Sequence, residues 1–437
     1  MANGPLEERW NVTFYEKDDN YISDIISLPS GGYVVVGQTG VCGSSSDSDA
    51  FLYKLNSNGE TVLTTFFGGN QEDWFSTVIN DGDQGLIAIG NTVSSGSGRL
   101  APWIFKLDTN GNEIWNKTLY NGSFMLGSGV KTSDGNFVIV GTNTPFRSAA
   151  GMSHMALLLK ADSEGNELWT KSYGSGGRVF IDGISSFRET CDGDYIMAGY
   201  TQSYSISNMP DGWLLKTDSE GNELWNHSFG DLDIDWLLSA FPCNDGGYIA
   251  IGKTRPYGTP YYNAWIVKTD KDGNNLWEKR YFQSYDSSFY SMIATSDGNF
   301  IAVGSMGSVP DGSVKSTFGV DHYQGIMMKF DENGNELWNQ TFKSYESSSF
   351  ESVIQANNNY VVAGYAISEG CDDKDALVVL FSDPEIQEDI IEEFTENETT
   401  VDKSTEESVS TAEKSPLSFT VTLVSIGLSF IALKRRL

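Results

Sequence analysis

Four polar residues recur at one spacing and could converge on a ligand. Asn20, Asp73, Asp182 and Asp235 each stand thirteen residues before an aromatic residue, or Leu86, that opens a short apolar run. Phe124, Ser287 and Ser348 fill the equivalent places in the remaining copies of the pattern. Tyr21, Trp74 and Trp236 follow three of them directly. Carboxylates beside aromatic faces suit sugar hydroxyls, or cations through charge and cation–π attraction. Two such acids at the right separation could also split a glycosidic bond, one as general acid and one as base or nucleophile. A plainer reading gives each acid to the backbone N–H groups of a loop. Arg99, Arg147, Arg178 and Arg255 come from consecutive copies and could grip carboxylate-bearing glycans, or be solvated loop charges.

Other chemistry finds less footing. The three histidines, His154, His227 and His322, are scattered, and no His/Cys group has metal-site spacing. Asp218, Glu220 and Glu223 offer oxygens for calcium, but the alternating acids and distant glutamate of an EF-hand loop are missing. An Asp-x-x-Gly-Asn hairpin turn, with glycine at positive φ, accounts for the same residues. Calcium is the one cofactor these residues leave open, and no other cofactor is expected.

The elements that would position these residues are repeats. KLDTNGNEIW (Lys106) returns as KADSEGNELW (Lys160), KTDSEGNELW (Lys216), KTDKDGNNLW (Lys268) and KFDENGNELW (Lys329), with a worn copy, KLNSNGETVL, at Lys54. An apolar run ending in glycine precedes each module's copy, at Gly37, Gly90, Gly141, Gly199, Gly252, Gly304 and Gly364, and these intervals are 51 to 60 residues. Each module reads as four short strands, and seven such modules predict an all-β, seven-bladed β-propeller. The seventh module stops after its third strand. Its missing fourth strand matches Glu8–Thr13, so the N-terminus is expected to close the ring and leave no open edge. The loops between fourth and first strands and between second and third strands should share one face, where ligands bind; Ser305–Tyr323, containing Asp321 and His322, is the longest.

Composition divides the 437 residues into three parts. Residues 1–383 are the expected propeller. Residues 384–416 carry eleven acids against two bases and read as a disordered linker. Residues 417–437 hold seventeen uncharged residues and then Lys434, Arg435 and Arg436, which predicts a short transmembrane anchor with a basic stop. The net charge of −31 makes nucleic acid a poor partner. Basic residues favour the cytoplasmic side, which would place the propeller outside the cell. MANGPLEERW has no apolar leader core, so export would require a start further upstream, and a cytosolic tail-anchored arrangement is the alternative.

Cysteines and sequons bear on the same question. Cys42 and Cys371 fall in loops of modules that ring closure makes neighbours, and Cys191 and Cys243 in turns of adjacent modules. The pairing Cys42–Cys371 and Cys191–Cys243 is therefore expected. Asn-x-Ser/Thr sequons occur at Asn11, Asn116, Asn121, Asn226, Asn339 and Asn397. Four follow the fourth-strand tryptophan, where a glycan would be tolerated and where duplication of one ancestral sequon would also put them.

GGYVVVGQT…DAFLYKLNSNG and GYIAIGKT…NAWIVKTDKDGNNLW resemble the propeller repeats of prokaryotic secreted and surface proteins, over about residues 8–383. The ending, from Ser415 through the apolar run to KRRL, is similar to the PGF-CTERM type of archaeal sorting tail, with Leu417-Ser418 where that type has glycine. Asp162, Gly165 and Trp169 depart by one residue from the spacings of quinoprotein docking motifs and sialidase Asp-boxes. The resemblance implies the fold and little of the function; with the anchor segment and the loop-face residues, the expectation is a membrane-anchored surface propeller that binds a glycan, ligand or protein partner. Alternatives are a glycan-cleaving hydrolase or a purely structural envelope protein.

Overall fold

Runs such as Val34-Val35-Val36 are apolar on both faces, which a strand keeps only when packed on both sides. The computed structural model shows how that packing is met. It describes residues 6–14, 19–40, 48–95, 99–119, 123–143, 154–175, 180–283, 286–308, 322–368 and 373–382. Within them are seven four-stranded antiparallel sheets, the blades of a seven-bladed β-propeller. The inner strands, in order of blade, are Asn20–Ser27, Asp73–Asn80, Phe124–Lys131, Asp182–Glu189, Asp235–Pro242, Ser287–Ala294 and Ser347–Ala356. Neighbouring inner strands touch around a central axis.

The ring closes as the repeat arithmetic requires. Glu7–Phe14 pairs antiparallel with Asp375–Ser382 and becomes the outer strand of blade seven. Residues from 383 onward, with the expected linker and membrane segment, lie outside the described residues. Among the described residues no helix is long and apolar enough to cross a membrane.

There is no single core. Seven buried clusters occupy the seven seams between blades. The KLDTNGNEIW unit explains much of this. Asp108 Oδ1 accepts the N–H groups of Asn110 and Asn112, both at 2.8 Å, and Oδ2 accepts Asn112 Nδ2 at 2.9 Å. Asp162, Asp218, Asp270 and Asp331 repeat this turn. The turn glycine has positive φ and lies under an aromatic ring of the preceding blade: a Cβ at Gly165 would stand 2.9 Å from Trp115, and one at Gly59 2.8 Å from Trp10. Leu63 takes the same place over Gly111, so the worn copy is still a working wedge. The lysine that opens each of the five intact units is paired with an aspartate of its own blade, as in Lys160–Asp134 and Lys268–Asp245, both at 2.8 Å, whereas Lys54 of the worn copy donates to Thr109 O of the next blade at 3.1 Å.

Candidate functional site

The recurrent polar position is a seam fastener. Backbone N–H groups of Asn20, Asp73, Phe124, Asp182, Asp235 and Ser287 donate to the preceding blade, at Lys374, Ser48, Leu100, His154, Pro210 and Tyr262. At the last seam, Gly325 N–H donates to Ser348 Oγ at 2.9 Å. The side chains turn into loops. Asp73 accepts the Thr92 hydroxyl and the N–H groups of Val93, Ser94 and Gly69. Asp182 accepts Thr201 Oγ1 at 2.6 Å, the N–H groups of Gln202 and Ser203 at 3.0 Å, and Ser203 Oγ at 2.5 Å. Asp235 accepts from Asp231 N–H at 3.0 Å and Arg255 N–H at 3.2 Å. All three acids and Asn20 are buried. Burial pushes Asp235 up to about 6, with the Asp231 charge adding to it. These carboxylates thus serve loop backbones, and the alternation of a strand sends their neighbours Trp74 and Trp236 the other way, toward the axis.

The channel wall is set by a bulge repeated in all seven inner strands. Pairing with the second strand shifts between Ile22 and Asp24, and at the equivalent place in every blade. The extra residue kinks the strand and re-aims side chains. It also explains the glycine that ends each apolar run: a Cβ at Gly37 would lie 1.8 Å from Tyr21 O, and one at Gly252 2.0 Å from Trp236 O. No other residue fits so close to a backbone.

Above the bulge, on the loop face, cross-strand pairs ring the channel mouth. They include Tyr21 with Gln38, Trp74 with Asn91, Gly183 with Tyr200, Trp236 with Lys253, and Ser349 with Tyr365. Lys253 Nζ sits 4.4 Å from the Trp236 ring centre and 4.8 Å from that of Tyr262. Lys374 Nζ sits 4.9 Å from Tyr21 and 4.5 Å from Tyr365. Tyr200 stacks on Trp236 at 5.3 Å, and Tyr21 meets Tyr365 edge-on at 5.6 Å. Neither ammonium makes a hydrogen bond or a salt bridge among the described residues. Burial lowers the Lys253 pKa, while Asp286 and Glu351 pull it back. Burial likewise raises Glu351, which accepts Ser349 Oγ at 2.8 Å, and raises Tyr290 and Tyr365.

Of the residues singled out from sequence, Tyr21, Trp74 and Trp236 reach this mouth. Arg255 is committed to Asp233 and lies 5.3 Å from the Tyr262 ring centre. Arg147 and Arg178 lie outside the described residues, as do Cys42, Cys371, Asn121, Asp321 and Asn397. Lys253, Lys374, Tyr200, Tyr365 and Glu351 were missed, though one signal was available. The residue after each run-ending glycine is Gln38, Asn91, Thr142, Tyr200, Lys253, Ser305 or Tyr365, the least uniform position in an otherwise uniform strand.

The expected Cys191–Cys243 disulfide is corrected: both thiols are free. Cys191 is exposed on its turn, whereas Cys243 packs partly buried against the seam of blades five and six, beside Lys268. Both border one cavity of about 440 Å³ between the blade four and five turns. The sequon residues Asn11, Asn116, Asn226 and Asn339 lie on outer strands. Each donates its side-chain N–H to the glutamate three residues earlier, at 2.5–2.6 Å. Asn116 Oδ1 also accepts Trp103 Nε1 at 3.2 Å, so these residues have a packing role irrespective of any glycan. Among the described residues no group of three or more His, Cys, Asp or Glu is arranged to hold a metal ion.

No protein-family model matches the chain, and no curated protein matches it in sequence. Among solved structures it is similar to a protein of unknown function from Dyadobacter fermentans: 12% identity over 86% of this chain and 99% of that one, TM-score 0.49. It is also similar to the polysaccharide lyase Uly1, with 9% identity over 82% of this chain and 89% of that one, TM-score 0.49. An α-L-arabinofuranosidase of Fusarium graminearum gives 8% over 84% and 97%, TM-score 0.37. Such likeness is of fold and carries no argument about activity.

Proposed function

We propose that this propeller is a binding module for an acidic saccharide, held at the loop-face mouth of its axial channel. One observation carries the reading. In a chain of net charge −31, Lys253 and Lys374 are each held between two aromatic rings, with no carboxylate of the described residues in salt-bridge distance. By contrast, Lys106, Lys160, Lys216, Lys268 and Lys329 are all paired. Two ammonium groups fixed by aromatic walls are preorganised for a carboxylate or sulfate on a sugar ring, and the surrounding tyrosine hydroxyls suit its hydroxyls.

Calorimetric titration of the full chain with a galacturonate oligomer should show saturable binding. A neutral galactose oligomer should bind at least about tenfold more weakly, since one good charge contact is worth about 1.4 kcal/mol or more. Lys253→Met with Lys374→Met should abolish the preference, and the oligomer should be recovered intact. Equal binding of the neutral oligomer, or no saturable binding, would refute the proposal. Glu351 supports a second reading, cleavage, because a carboxyl biased toward its protonated form is what a general acid requires. Shortened oligomer that disappears with Glu351→Gln would establish that reading instead.

A further inference from the structure

At the opposite, turn-side end of the channel the inner strands present another ring. In six blades its members are Ile26, Ile79, Val130, Phe241, Ile293 and Ile354; in blade four the same register position is Arg188. We propose that Arg188 is an anion-binding residue of the channel. It would take a small oxyanion, a carboxylate, sulfate or phosphate, either free in solution or carried on the end of a longer ligand.

The guanidinium stacks on Phe241, its central carbon 3.5 Å from the ring centre. Among the described residues it makes no hydrogen bond or ion pair, so its five N–H donors are unused. Among the described residues the one carboxylate near enough to be felt is Asp24, one row nearer the mouth. That carboxylate is already committed. Its Oδ2 accepts Thr77 Oγ1 at 2.8 Å and Val78 N–H at 3.0 Å, and its Oδ1 accepts Ile25 N–H at 2.9 Å and Ser352 Oγ at 3.0 Å.

Enclosing a cation in an apolar ring is unfavourable unless something pairs with it. Burial draws the Arg188 pKa down to about 10, which still leaves it charged at neutral pH. Arg188 also retains some accessible surface, as binding from solution requires. A planar guanidinium braced on an aromatic ring presents a fork to a two-oxygen anion, which is the geometry of bidentate carboxylate and sulfate binding.

The test uses the full chain and two probes, sodium acetate and sodium sulfate, with chloride balancing ionic strength. Calorimetry should show a saturable acetate site that persists in Lys253→Met with Lys374→Met and is weakened at least tenfold in Arg188→Met. Sulfate should raise the wild-type melting temperature by more than it raises that of the variant. Arg188→Lys, which keeps the charge but not the fork, should bind between the two. No saturable binding of either probe to wild type, or equal affinity in Arg188→Met, would overturn the proposal. If near-ultraviolet circular dichroism shows Arg188→Met misfolded, wild-type affinity in Arg188→Lys overturns it. The galacturonate titration reads the mouth separately: its failure with acetate binding intact strikes the mouth alone. Loss of both ligands in Arg188→Met would mean that the anion is ligand-borne, and loss of acetate alone that it is free; either upholds the site.

Discussion

The seam wedge permits a quantitative test at the point where the ring closes. Gly59 has φ of 81°, and a Cβ there would lie 2.8 Å from Trp10 Cε3 and 3.0 Å from Cδ2 and Cζ3. Gly59→Ala therefore meets two penalties. A left-handed alanine costs about 1–2 kcal/mol, and overpacking against the indole adds about 1–3 kcal/mol. Trp10→Ala removes a half-buried ring that also meets Tyr33 at 5.9 Å, for about 2–3 kcal/mol, less than the 3–5 kcal/mol of full burial. In the double variant the overpacking vanishes while the backbone penalty stays. The pair should thus be less destabilised than the sum of the singles by about 1–3 kcal/mol. Urea unfolding of the four proteins, with constant m-values as the check on comparability, measures the difference. Additivity within about 0.5 kcal/mol would mean that ring and glycine do not touch as described, and the wedge account would fall.

Two further outcomes are expected. Gly252→Ala sets a Cβ against the Trp236 carbonyl oxygen at 2.0 Å; it should cost about 3 kcal/mol and alter Trp236 emission, and a stability within 0.5 kcal/mol of wild type would contradict the bulge constraint. Asp235 has a folded pKa of about 6 against about 3.9 unfolded, so the folded state binds the proton more tightly. Its contribution is complete below about pH 4 and lost as pH rises through about 6, worth roughly 3 kcal/mol. Relative to Asp235→Asn, wild type should gain about 2 kcal/mol of this between pH 7 and pH 4 in denaturant titrations, and a gap that stays constant would show the carboxyl is not perturbed.

The ring was legible because its rules are local and repeated. Turn residues, apolar runs and the misplaced outer strand at Trp10 all point to one closure. The site was less so, for a physical reason. The spacing that marked Asp73, Asp182 and Asp235 marks residues whose backbone fastens a seam and whose side chains hold loop N–H groups, and holding loops needs buried acceptors of the same type that ligand binding would use. The mouth residues Lys253 and Lys374 come from a second strand and from a loop, and only the fold sets each against two rings. The bulge cannot be read from one strand, since it is a mismatch between two. Arg188 and Asp24, the odd members of otherwise apolar or hydroxyl-bearing rows, become visible only once all seven registers are aligned.

Closure by the N-terminal strand has a temporal consequence. Arg9 Nε donates to Ser382 Oγ at 2.6 Å across 373 positions of sequence. Six blades can form from contiguous chain as it leaves the ribosome, but the strand Glu7–Phe14 has no partner until Asp375–Ser382 is made. Pairing so remote in sequence is slow to find, and meanwhile an unpaired edge is open to other chains. Assembly of the ring is therefore completed when the strands Glu7–Phe14 and Asp375–Ser382 meet, and the interval before they meet is when it is most exposed to mispairing.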